Sequence, residues 1–159
     1  MERTLVLLKP DAVQRGLTGQ ILARFEAKGL MVVALKLRRF PAAVLKEHYA
    51  EHKAKPFFGD LVGFMSSGPA VALILEGKDA IAVVRRLVGA TNSANADPGT
   101  IRGDFGMSFS NNLVHASDGK AAAKRELALF FPDKKEICNW TPVTREWVYS
   151  GEELPAKNG

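Results

Sequence analysis

Asn112-Leu113-Val114-His115-Ala116-Ser117-Asp118 is the stretch that decides how this chain reads. Leu113 to Ala116 forms a short apolar strand. Ser117 and Asp118 then open an alanine-rich helix that ends before Pro132, with Ser117 as its cap. A histidine at a strand end that faces a helix N-terminus has backbone N–H groups nearby to hold an anion. Imidazole is a competent nucleophile near neutral pH, because much of it is unprotonated. A carboxylate on its far nitrogen would set its tautomer, and the spacing allows Glu126 on the following helix to fold back. On these residues alone, His115 is either a nucleophile or a structural histidine.

Working outward, Thr4 to Leu8 is an apolar central strand. Pro10 cannot donate to a ladder, so this strand stops and delivers Lys9 to its edge. A helix runs from a Thr18 cap towards Gly29, with Leu17, Ile21, Leu22 and Phe25 on one face. Met31 to Phe40 is a second strand in which Val33, Leu35 and Leu37 alternate with Lys36 and Arg38, leaving one face wet. Helices follow over Ala42 to Ala54 and Gly59 to Met65. Next come a strand over Val71 to Leu75 and a helix capped by Asp79 and stopped by Gly89. Thr91 to Asn111 carries many turn residues and little periodicity; so long a loop in a compact domain is usually functional. This order predicts an α+β fold: a ferredoxin-like α/β sandwich (βαββαβ) with a four-stranded, mostly antiparallel sheet, a helical insertion and a C-terminal extension. Helices would cover one face of the sheet.

With 159 residues, the chain fits one domain, with a core from about 3 to 149 and a polar tail over 150–159. Apolar content of 47% and charged content of 25% suit a globular domain, and no apolar run has the roughly 20 residues of a membrane helix. The start lacks the pattern of a signal peptide, and a single cysteine, Cys138, excludes an internal disulfide; both point to the cytoplasm. The net charge of +5 suits anionic ligands. Its cations are spread along the chain rather than gathered in an arm, which argues against nucleic acid as the main partner.

No P-loop and no G-x-G-x-x-G is present. Asp104-Phe105-Gly106 spells a protein-kinase triplet without the rest of that signature. His48 and His52 are spaced to share a helix face, but the glutamate of an H-E-x-x-H site is replaced by Tyr49. They read as a solvated face, dispensable for any chemistry at His115.

Six pieces in register carry a resemblance: Leu8-Lys9-Pro10-Asp11-Ala12, Pro56-Phe57-Phe58, Ser67-Gly68-Pro69, Gly89-Ala90-Thr91-Asn92, Pro98 to Phe105, and Asn112 to Asp118. From Arg3 to about Tyr149 the chain resembles the nucleoside diphosphate kinase family. The resemblance implies ping-pong transfer of a γ-phosphate between nucleoside tri- and diphosphates, with His115 as nucleophile and Glu126 as its orienting carboxylate. It further implies that Arg85, Thr91 and Arg102 hold phosphates, that Lys9 and Asn112 hold ribose hydroxyls and nearby phosphate oxygens, and that Tyr49 packs beside the histidine. Phe57 would stack on the base, with Leu61 and Phe109 as further walls; without the motifs these three would read as core. Stacking tolerates any base and implies broad specificity. Mg2+ would be held chiefly by phosphates and water, with Asp118 as an outer contact. The family forms closed homo-oligomers. The C-terminal segment with Trp140 and Trp147 favours a hexamer over a tetramer. The chain departs from the pattern at Ser93, where the family loop often has a stiffening proline, at Lys55 and at Phe109.

Overall fold

The computed structural model describes residues 1–154. Strands β1 (Glu2–Leu8), β2 (Met31–Arg38), β3 (Ala70–Gly77) and β4 (Val114–Ala116) form one sheet in the order β2-β3-β1-β4. All three pairings are antiparallel, as the ferredoxin-like sandwich requires. The helices are α1 (Pro10–Gln14), α2 (Thr18–Ala27), α3 (Ala42–His48), α4 (Phe58–Ser66), α5 (Ala80–Val88), α6 (Ile101–Phe105) and α7 (Lys120–Phe130). Leu5, Leu7 and Leu8 are wholly buried in the central β1, and each contributes about 1.5–3 kcal/mol. Pro10 ends β1 and occupies the first position of α1, where a missing N–H costs nothing.

Helices cover both faces of the sheet, not one. Val6 and Leu8 pack with Ala12, Ile21, Phe25, Val84 and Val88 of α1, α2 and α5. Leu5 and Leu7 face the opposite way and pack with Leu45, Val62, Met65 and Phe130 of α3, α4 and α7. The insertion that interrupts the repeat is therefore a second layer over Ala72 and Ile74 of β3. Side chains of a strand alternate between faces, so an apolar run on a central strand demands cover on both.

Other boundaries also differ from the sequence reading. The register of β2 against β3 slips between Val32 and Ala34, so Val33 joins the Leu5 face. Leu35 and Leu37 fall on the opposite face and lie half exposed beyond the reach of its helices. The bulge breaks the simple alternation. The helix from Ala42 ends at His48, and one 3-10 turn (Ala50–His52) follows. The loop 91–111 contains α6, which Thr100 caps by accepting from the Gly103 N–H, and a 3-10 turn over Ser93–Asn95. The first part of the expected tail is built in: Ser150 and Glu153 form a capping box, and Glu153 pairs with Lys78 at 2.6 Å. The rest of that tail lies outside the described residues. Among those described, no helix is long and apolar enough to cross a membrane.

Candidate functional site

His115 pairs with Leu7 across β1 and β4, so its side chain sits on the face covered by α3, α4 and α7. Helix α7 then folds Glu126 back beneath it. The His115 Nε2 lies 3.1 Å from Glu126 Oε1, and Ser117 Oγ donates to Glu126 Oε2 at 2.6 Å. Ser117 is thus no helix cap; α7 begins three residues later, with Gly119 at its N-cap position. Burial alone would raise the Glu126 carboxyl, but the bonds and charge from His115 and the bond from Ser117 outweigh it and hold the group below the ordinary glutamate value. An ionised carboxylate only accepts, so the proton of a neutral His115 resides on Nε2. Nδ1 is left with its lone pair, on a ring that retains 24% side-chain exposure.

The approach to His115 is strained. Leu113 is wholly buried at φ 69°, and the Val114 N–H bonds back to the Asn112 carbonyl at 2.7 Å. This is the rare positive-φ form of the γ-turn. The surroundings hold it from several sides. The Leu113 N–H donates to Asp11 Oδ2 (3.1 Å), and its carbonyl accepts from the Lys9 N–H (2.8 Å). A non-glycine residue held this way costs on the order of 1–3 kcal/mol, and such outliers cluster at functional sites.

His48 overturns its sequence reading. It is buried, not solvated, and its ring meets His115 edge to face with centroids 4.6 Å apart. Tyr49, expected beside the nucleophile, packs on His48 at 4.4 Å. The spacing of Leu45, His48 and Tyr49 was the available signal: positions i, i+3 and i+4 share one stripe of α3, and here all three are buried. Burial, then the neighbouring His115, push the His48 imidazole down to about 3, so it is neutral; Glu126 only partly opposes them. Only His52 of the expected pair is partly exposed, and no shared face exists.

The cations gather along β4 and the turn before it. Lys9 Nζ donates to Asn112 Oδ1 (2.7 Å), and Asn112 Nδ2 donates to the Thr91 carbonyl (3.0 Å). Arg102 donates to the carbonyls of Asn112 (3.1 Å), Gly89 (3.0 Å) and Val114 (2.6 Å). Arg85 reaches the Ala116 carbonyl at 3.4 Å. Burial, followed by the Arg102 charge, lowers the Lys9 ammonium to about 8, against the pull of Asp11. Burial, followed by the Arg85 charge, lowers Arg102 to about 10. Arg102 presses on Lys9, and Arg85 presses on Arg102, a field that a bound anion would relieve.

Phe57 stands half exposed at the start of α4, and its ring lies 5.5 Å from that of His52. His52 stacks on Tyr49 at 6.5 Å. A run of rings thus leads from Phe57 through His52, Tyr49 and His48 to His115. Leu61, one turn into α4, packs against the core beneath. Phe109 is 64% exposed on the loop before β4, and no ring contact joins it to Phe57. Asp118 is exposed just past Ser117.

The nucleoside diphosphate kinase family model matches residues 2–136. The chain belongs to this family. A nucleoside diphosphate kinase of Archaeoglobus fulgidus is 55% identical over 149 residues, covering 94% of this chain and 98% of that protein. That of Methanothermobacter thermautotrophicus is 52% identical, covering 94% and 99%. Among solved structures, a halophilic nucleoside diphosphate kinase from Halobacterium salinarum in complex with CDP superposes with a TM-score of 0.90 at 51% identity, covering 93% of this chain and 98% of that one. A family protein from Babesia bovis gives 0.91 at 48% identity, covering 94% and 100%. The chain is therefore a nucleoside diphosphate kinase-type phosphotransferase that moves phosphate between nucleoside tri- and diphosphates, as its motifs implied, on the fold they implied.

Proposed function

We propose that the transfer proceeds in two half-reactions through a phosphohistidine on Nδ1 of His115. The observation that carries this reading is the bond between His115 Nε2 and Glu126, which leaves Nδ1 as the atom with a free lone pair. In the first half-reaction that lone pair attacks the γ-phosphorus of a nucleoside triphosphate. The bond from the γ-phosphorus to the bridging oxygen breaks, and the nucleoside diphosphate leaves with the electron pair. A second nucleoside diphosphate reverses the step. Glu126 holds the ring and balances the positive charge that forms on it, much as the carboxylate of a catalytic triad does.

In this reading Arg85, Thr91 and Arg102 hold phosphate oxygens, and Lys9 and Asn112 hold ribose hydroxyls and nearby oxygens. Such transfer depends mainly on position and charge, which these side chains supply before substrate arrives. Phe57 offers the base an exposed face with Leu61 behind it, and Phe109 closes from the opposite loop. A π-face accepts purines and pyrimidines alike, so broad base specificity follows. Tyr49 acts at one remove, by packing against His48.

Mg2+ fits this site only together with substrate. Glu126 is committed to His115 and Ser117, which leaves Asp118 as the exposed carboxylate close by in sequence. One carboxylate does not make an all-protein cage, but it suits an ion held by phosphates and water. Bound there, Mg2+ would neutralise charge on the phosphates. We further propose a closed homo-oligomer, a hexamer rather than a tetramer, working in the cytoplasm. The half-exposed Leu35 and Leu37 on edge strand β2, and the exposed Trp147 of the C-terminal segment, supply apolar surface for it.

Incubation with γ-labelled ATP should leave acid-labile, base-stable label on the parent protein and none on His115→Ala. Label that survives that substitution defeats the mechanism.

A further inference from the structure

We propose that His48, His115 and Glu126 form a binding site for Zn2+, and that the bound ion silences the nucleophile. One ligand atom from each residue lies within 4.8 Å of the others. Glu126 Oε1 is 3.1 Å from His115 Nε2 and 3.9 Å from His48 Nδ1. Tetrahedral Zn2+ with bonds of about 2.0–2.1 Å separates its ligands by roughly 3.3–3.4 Å, so small ring movements complete the set.

A second observation points the same way. Both ring nitrogens of His48 are buried and have no hydrogen-bond partner. A buried unpaired polar group is costly and calls for an explanation. Burial holds this imidazole neutral, and the neutral ring is the form that ligates metals. Glu126 carries the support a ligating carboxylate needs, since Ser117 holds its second oxygen at 2.6 Å. Two imidazoles and a carboxylate suit Zn2+. They do not suit Mg2+, which prefers oxygen ligands and keeps its waters. The partial exposure of His115 provides an entry path, and water would take the fourth position.

The silencing follows from proton bookkeeping and rests on the phosphohistidine reading; the binding does not. A neutral imidazole carries one proton. Zn2+ on Nε2 takes that lone pair and leaves the proton on Nδ1. The atom that should attack phosphorus then has no lone pair to offer.

The test uses the nucleotide-free full chain, titrated with Zn2+ alone and followed by 15N resonances of its three histidines. One equivalent should shift ring nitrogens of His48 and His115 and leave His52 in place. His48→Phe, which keeps an aromatic ring beside Phe130, should weaken Zn2+ binding by at least about tenfold. Shifts confined to His52, or His115 shifting without His48 in the parent chain, would overturn the site without any variant having to fold. Equal affinity in a folded His48→Phe would do the same. In parallel, one equivalent of Zn2+ should abolish labelling from γ-labelled ATP, and a chelator should restore it. Transfer that continues while His48 and His115 are shifted would refute the silencing and leave the metal site standing; the phosphohistidine reading fails separately, by label that survives His115→Ala.

Discussion

Glu126→Gln changes one oxygen to an NH2 group and removes one charge at the centre of the site. Glutamine has nearly the same shape, so packing around α7 is kept. Its carbonyl can accept from His115 Nε2 only if its NH2 turns to Ser117, whose hydroxyl must then accept instead of donate. In the flipped orientation the NH2 meets His115, which forces the imidazole proton onto Nδ1 and removes the attacking lone pair. A hydrogen bond to a charged group is worth about 1.5–3 kcal/mol net, and each 1.36 kcal/mol is tenfold in rate, so kcat should fall by about 10- to 150-fold. KM for either nucleotide should stay within about twofold, because the ligand-facing cations lie elsewhere. Steady-state assays with varied donor and acceptor separate the two constants. A kcat within about threefold of the parent would refute the orienting role of Glu126. The same variant has a stability signature. The fold holds the Glu126 carboxyl below the ordinary glutamate range, because the bonds from His115 and Ser117 outweigh its burial. Its contribution is therefore complete above the unfolded value and is lost as pH falls through the lower folded one. Urea midpoints of the parent should lose that share on acidification, and Glu126→Gln should not.

Lys9 gives a basic limb: kcat/KM should decline as pH rises through about 8, where its ammonium loses the proton, and Lys9→Gln should start low and lack that decline. A parent profile flat to about pH 9.5 counts against Lys9 as a charged ligand. Ser93→Pro should stabilise the chain by about 0.4–1 kcal/mol and raise Tm by roughly 1–4 °C in calorimetry. Position 93 opens a 3-10 turn, Asn92 is extended at φ −80° and ψ 107°, and the Ser93 hydroxyl is buried without a partner; a lowered Tm would mean the proline ring does not fit. Leu35→Lys with Leu37→Lys should weaken subunit association at least about a hundredfold, since each buried leucine is worth about 1.5–3 kcal/mol. Unchanged sedimentation would place the interface elsewhere.

What the sequence disclosed was set by the range of the interactions involved. The core of β1 is readable because four consecutive apolar residues with Pro10 behind them admit few other structures. The β2 bulge is not readable, because Val33 is displaced by pairing with β3, far along the chain. Leu35 and Leu37 then look like core and lie half exposed. Ser117 looks like a local cap because Ser before a helix usually is one; its partner Glu126 comes within reach only once α7 folds back. His48 shows the opposite error. Its stripe with Leu45 and Tyr49 is present in the sequence, and position on that stripe outweighs the polarity of the imidazole. The γ-turn at Leu113 leaves no signal at all, since a leucine with positive φ is imposed by Lys9 and Asp11 from one distant segment and Arg102 from another.

Arg102 shows how far structure and chemistry share one side chain. A guanidinium has five N–H donors. Here three serve the carbonyls of Asn112, Gly89 and Val114, one from each nitrogen. One donor remains on each terminal nitrogen, which is the pair that forks onto a phosphate. On the proposed function, the same group that clamps the backbone on both sides of the strained Leu113 has two donors left for a phosphate. Among the described residues no carboxylate pairs with its charge, and Arg85 presses on it. An isolated fold would gain by separating these cations or giving them counter-ions. This one instead ties Arg102 to neutral carbonyls and Lys9 to a neutral amide, so the field stays unspent until an anion arrives. On the proposed function, the stability forgone in the empty state would be returned when a polyphosphate binds, which is the energetic form of preorganisation.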